Sequence, residues 1–345
     1  MAKKGTDSYK WEEFKCMPTP RVFATAVAKN DDNVYVIGGC DQRGQPLDSF
    51  EHFDPKKRKW NRLKQMNVKR AGVAAAVIGD KIVAIGGVGS SQEPQSTVEV
   101  FDTTTSDWTL VDALPEGLLG LGIVVKDDKV LVIGGMAKDT NPRDSVMSYD
   151  VSTNKWKALK PMPTPRYACF PFLVGNKLYV LGGRQGKIPC AAFEVYDFDE
   201  DKWEKLTDIP SKRVFALYAA SDTHIFSMGG LRQPASDGFS DACEVFDIAT
   251  KNWKLDCEPL PTRRGDFAIG IVGSKVICAG GLGNDGKPLD VVEAYDQSTD
   301  TWIKLKSMHS SHCSCAYTVM NGKLYVAGGL SVEGPSACME AVEAV

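Results

Sequence analysis

The stretch GNKLYVLGGRQGKIPCAAFEVYDFDEDKW, Gly175 to Trp203, decides the fold. It reads as a strand closing in Gly-Gly, a variable turn, a second strand, a tight turn led by Asp197, and a Trp opening a further strand. The rest of the chain repeats it. Gly-Gly pairs begin at Gly38, Gly86, Gly134, Gly182, Gly229, Gly280 and Gly328, 47 to 51 residues apart. An Asp six residues ahead of a Trp recurs at Asp54/Trp60, Asp102/Trp108, Asp150/Trp156, Asp197/Trp203, Asp247/Trp253 and Asp296/Trp302. A fixed period near fifty with strand patterning is the signature of a repeat architecture.

Each unit runs apolar strand, Gly-Gly, Glu-x-aromatic-Asp, then Trp. That pattern resembles the kelch repeat over almost the whole chain, and NKLYVLGGRQGK with the preceding PMPTPRY is similar to the kelch domain-containing protein 8 group. A WD40 propeller would carry Trp-Asp dipeptides, and none of the seven Trp here is followed by Asp. The resemblance implies an all-β, seven-bladed kelch β-propeller with four antiparallel strands per blade.

The two ends complement each other. Lys10 to Cys16 (KWEEFKC) looks like the Trp-led strand that ends every other unit, without the strands before it. His312 to Val345 supplies three strands with no Trp after them. The N-terminal strand should therefore close the last blade, since a ring protects its edges by closure. The expected organisation is a flexible segment, residues 1–10, and one propeller, residues 11–345. Within each blade the first strand is rich in small residues, as crowding around an axis demands. The second is continuously apolar, as burial on both faces demands. The third alternates, as in Phe193-Glu194-Val195-Tyr196, and the Trp strand is outermost, its ring covering the core.

Composition narrows the function. With 41 basic and 44 acidic residues the net charge is −3, which argues against a nucleic-acid footprint. No apolar run approaches a membrane span. The ten Cys are irregularly spaced and the opening Met-Ala-Lys-Lys-Gly is polar, so reduced thiols and a cytoplasmic location are expected. A monomer is expected.

Three groups of residues are candidates for chemistry. The residue opening each inner strand is Arg21, Arg70, Leu118, Arg166, Arg213, Arg264 and His312. Five guanidinium groups converging on one channel mouth suit an acidic or phosphorylated peptide. The other reading is scaffold, with each Arg pairing to the repeated Glu (Glu51, Glu99, Glu194, Glu244, Glu293) or to a carbonyl. The loops after Gly-Gly depart from the repeat at Arg184-Gln185-Gly186-Lys187 and Leu231-Arg232-Gln233, in adjacent blades, and loops carry binding. His309-x-x-His312-Cys313-x-Cys315 has metal-like residue types, but no second pair is spaced to finish a tetrahedral site, so it reads as structural.

The expected partner site is thus Arg21, Arg70, Arg166, Arg184, Arg213, Arg232 and Arg264. No catalytic residue, metal or cofactor is expected. The resemblance implies a non-enzymatic interaction module or adaptor. Its alternatives are a substrate receptor of a ubiquitin ligase and, more remotely, a kelch-type oxidase or sugar isomerase, for which four His are few.

Overall fold

The computed structural model describes residues 9–30 and 32–345. Their strands form seven four-stranded antiparallel sheets. In the first blade the chain order is also the spatial order: Thr25–Lys29, Asn33–Ile37, Phe50–Asp54, Lys59–Arg62. The inner strands neighbour one another around a central axis. The seventh blade takes its outer strand, Tyr9–Phe14, from the N-terminus; this pairs with Met339–Ala344, Trp11 opposite Val342. Closure by the N-terminal strand is as expected, and the strand already includes Tyr9 and Lys10, ahead of the boundary read from sequence. Residues 1–8 lie outside the described residues.

The second strands are buried on both faces, with Val34, Val36, Ile37, Ile82, Val83 and Ile85 all fully buried. The third strands are buried on both faces too, including the glutamates at their alternate positions. The alternation seen in sequence therefore separates an apolar face from a paired-charge face, not core from water.

The outer Trp joins blades as well as covering them. Trp108 packs on Phe50 of the blade before it, ring centroids 4.9 Å apart. Its indole N–H donates to Lys64 O at 2.8 Å, and Trp156, Trp203, Trp253 and Trp302 donate to the matching carbonyls Asp112, Lys160, Thr207 and Glu258. Trp108→Ala should cost about 3–5 kcal/mol, because the ring is buried and its cavity lies between two rigid sheets; denaturant titration measures it.

Candidate interaction face at the channel mouth

The arginines that open the inner strands turn inward. Arg21, Arg70, Arg166 and Arg264 have no exposed surface and Arg213 only 4 %. Each makes an ion pair with the glutamate of its own blade: Arg21–Glu51 at 2.7 Å, Arg70–Glu99 at 3.4 Å, Arg166–Glu194 at 2.5 Å, Arg213–Glu244 at 2.5 Å, and Arg264–Glu293. Their Nη1 groups hold carbonyls at the strand ends, while the buried Nε of Arg21, Arg70, Arg166 and Arg213 has no partner among the described residues. Arg264 Nη1 donates to Gly280 O at 2.9 Å and to Val291 O at 2.7 Å. Burial lowers the Arg21 and Arg70 pKa while the glutamates oppose that. An open ring of like charges is therefore absent, and these five side chains are placed as internal braces.

The other two blades make the same point. The seventh replaces Arg by His312, whose Nδ1 lies 2.6 Å from Gly328 O and whose Nε2 lies 3.6 Å from Glu340. Burial pushes the Glu340 carboxyl up, but hydrogen bonds from His312, His309 and Ser310 outweigh it and hold it low. His309 is likewise engaged by Glu340, at 3.0 Å. The third blade replaces Arg by Leu118 and its Glu by Met147, both in one apolar cluster. Among the described residues no cluster of three or more His, Cys, Asp or Glu has the geometry to hold a metal ion.

Each brace is tied to the next blade. The second glycine N–H of a blade donates to the carbonyl of the following blade's opening residue: Gly39 to Arg70 at 3.0 Å, Gly87 to Leu118, Gly135 to Arg166, Gly230 to Arg264, Gly281 to His312, Gly329 to Arg21. A Cβ on Gly38 would strike that same Arg70 carbonyl, and φ there is +61°, so glycine is required twice over. The junction between the fourth and fifth blades is different. Among the described residues no such bond joins Gly183 to Arg213. The Tyr218 hydroxyl lies beside Gly182 instead, and the Phe170 and Tyr218 rings meet at 4.7 Å between the two inner strands.

Beside that seam lies a cavity of about 470 Å³, with Leu121 of the third blade, Tyr167, Phe170 and Arg184 of the fourth, Phe215 and Tyr218 of the fifth, and Asp266 of the sixth in its lining. Arg184 lies at its rim. Arg184–Gln185 pairs with Ile188–Pro189 around Gly186, and Arg184 exchanges backbone hydrogen bonds with Tyr167, at 2.8 and 3.1 Å. Its guanidinium sits over the rings of Tyr167 (5.7 Å) and Phe215 (5.4 Å), and its buried Nε has no partner. Burial pushes the Tyr218 phenol up to about 12 and raises the Asp266 carboxyl, which accepts a hydrogen bond from Ser314. Arg232, in the adjacent loop, differs: it pairs with Asp241 at 2.9 Å, and Arg263 shares that carboxylate.

Around the mouth, the residue two after each opening position has positive φ: Phe23, Gly72, Gly120, Ala168, Phe215, Asp266 and Ser314. Backbone bonds link several of them across blades, such as Gly72 N–H to Phe23 O at 3.0 Å and Asp266 N–H to Phe215 O at 3.2 Å. Glycine fills this conformation without strain, whereas Phe23 and Phe215 adopt it with rings 55 % and 50 % exposed. Sequence reading missed both, although Gly72 and Gly120 in the same register hint at the backbone they share.

A closed ring of seven such blades, five of them braced by buried Arg–Glu pairs, defines a kelch-type propeller with one opened seam at its mouth. The chain belongs to the kelch-repeat family: the profile of the KLHDC2/KLHL20/DRC7 Kelch-repeats domain matches residues 5–161 and 120–329. It is 37% identical to human Kelch domain-containing protein 8B over 167 residues, 46% of this chain and 47% of that one. It is 27% identical to zebrafish Kelch-like protein 41b over 172 residues, 48% of this chain and 28% of that one. These matches span half or less of the relatives' length. Among solved structures, that of YjhT aligns with a TM-score of 0.60 over 95% of this chain and 96% of the other at 16% identity, a likeness of fold alone. Kelch propellers typically mediate protein–protein interaction. Among the described residues no helix is long and apolar enough to cross a membrane.

Proposed function

We propose that this protein is a non-enzymatic interaction module that receives an acidic segment of a partner protein at the channel mouth. Arg184 takes the carboxylate, and the seam beside it takes a neighbouring bulky apolar side chain. The observation that carries this is Phe215, and with it Phe23. Each holds a non-glycine residue at positive φ and leaves an aromatic ring half in water. Holding a non-glycine residue at positive φ costs about 1–3 kcal/mol, and such strain clusters at binding sites. Arg184, stacked on Phe215 with no carboxylate partner among the described residues, supplies the charge. The five braced arginines contribute indirectly, by fixing the inner strands that present the rim.

Selection from a random peptide library on the purified protein tests this. Enriched sequences should join Asp or Glu to a bulky apolar residue, and their binding should weaken with salt, because exposed charges are screened over about 8–10 Å at physiological ionic strength. Arg184→Glu and Phe215→Gly should each weaken binding at least about tenfold, or about 1.4 kcal/mol. Phe215→Gly should leave the melting temperature unchanged or raised, since glycine relieves the positive φ. Peptides that bind both variants as well as the parent would place the binding surface elsewhere.

A further inference from the structure

We propose that Cys16 and Cys338 form an oxidation site: a reversible disulfide that staples the N-terminal strand to the C-terminal strand at the seam where the ring closes. The pairing of Tyr9–Phe14 with Met339–Ala344 ends at Phe14 opposite Met339. The two chains stay together beyond it, with Met17 N–H donating to Ala337 O at 2.7 Å. Cys16 and Cys338 flank that bond, one on each strand's extension, and the neighbouring Cys338 acts directly on the Cys16 thiol. Cys16 is exposed and Cys338 half-buried, lining a surface cavity of about 420 Å³ with His309 and Ser310. Ser310 Oγ lies 3.3 Å from Cys338 Sγ. No other exposed cysteine occurs among the described residues.

The oxidant is a low-molecular-weight disulfide such as glutathione disulfide. Cys16, the accessible thiol, loses its proton and attacks one sulfur, forming a mixed disulfide and releasing one glutathione. Cys338 then loses its proton and attacks the Cys16 sulfur, forming the Cys16–Cys338 bond and releasing the second glutathione. Two protein thiols are oxidised and one glutathione disulfide is reduced to two thiols. Burial raises the Cys16 thiol, and neighbouring Cys338 and then Glu13 raise it further. Exchange is therefore slow at neutral pH, because the thiolate is the attacking species.

The location gives the bond its consequence. Opening the ring means peeling the N-terminal strand off the last blade, and a bond at the strand's end prevents that. It also cross-links positions near both ends of the chain, where the constraint on the unfolded state is largest.

The experiment equilibrates the full-length protein with reduced or oxidised glutathione, then maps disulfides by non-reducing digestion and mass spectrometry. The expected product is a Cys16–Cys338 linked peptide, with slowed hydrogen exchange at Tyr9–Phe14. Melting should rise by roughly 5 °C or more, consistent with cross-linking a long loop. Cys16→Ser and Cys338→Ser should each melt like the reduced parent and lose the response to oxidation. Three results would overturn the proposal. One is Cys16 left at equilibrium as a mixed disulfide with glutathione. Another is a first bond between other cysteines, such as Cys243 and Cys257. The last is a linked protein whose strand exchanges as fast as in the reduced form.

Discussion

A chain lacking residues 1–16 should not yield a stable, monodisperse propeller. The N-terminal strand places Trp11 and Phe14 in the core at 8 % and 7 % exposure, the latter against Phe53 of the first blade at 4.8 Å. Losing a buried aromatic costs about 3–5 kcal/mol, and two of them approach the whole stability of a typical domain, about 5–15 kcal/mol. The deletion also strips the partner from Met339–Ala344 and leaves its backbone groups as an open edge, ready to pair with other molecules. Size-exclusion chromatography should show aggregation, and thermal melting a large drop or no transition. The double variant Trp11→Ala, Phe14→Ala keeps the backbone pairing, so it should melt far below the parent yet aggregate less than the deletion. Normal melting and monodispersity of the shortened chain would mean that the seventh blade closes without its N-terminal strand.

The ring was legible in the sequence because its determinants are periodic. Gly-Gly, Asp and Trp each answer a local need that recurs in every blade, and the missing Trp after Gly328-Gly329 points to the one at Trp11. The arginines were harder. Their register is legible, but a side chain at a strand's start can face the channel or fold back, and periodicity alone does not choose. A deciding signal was present: the one blade with Leu118 in place of Arg is the one with Met147 in place of Glu. Charges that come and go together within a blade are partners. The seam was not legible, because it depends on Tyr218 lying beside Gly182, a contact between residues of different blades. Of the loop arginines singled out, nothing in the sequence separates Arg184, without a carboxylate among the described residues, from Arg232, which shares Asp241 with Arg263.

The third blade also sets the terms of the sharpest test of the braces. In the sixth blade, Arg264→Leu alone should destabilise by about 3–5 kcal/mol, because Glu293 would keep a buried charge with no counter-charge and only the Thr262 hydroxyl to hold it. Glu293→Met alone should cost a similar amount, stranding the guanidinium. The double variant Arg264→Leu, Glu293→Met copies the pair Leu118/Met147, which the third blade buries in its apolar cluster. Replacing a buried ion pair by well-packed apolar residues is often neutral or stabilising. The double variant should therefore recover most of the loss, with a coupling energy of several kcal/mol in a double-mutant cycle read by denaturant titration. Some deficit remains, because Arg264 also holds the carbonyls of Gly280 and Val291, and each hydrogen bond lost there is worth about 1 kcal/mol. If the two single variants retain parental stability, Arg264 is not a brace and its charge is free for a ligand. If the double variant is as unstable as the sum of the singles, the carbonyl bonds, not the Glu pairing, are what the arginine supplies to the blade.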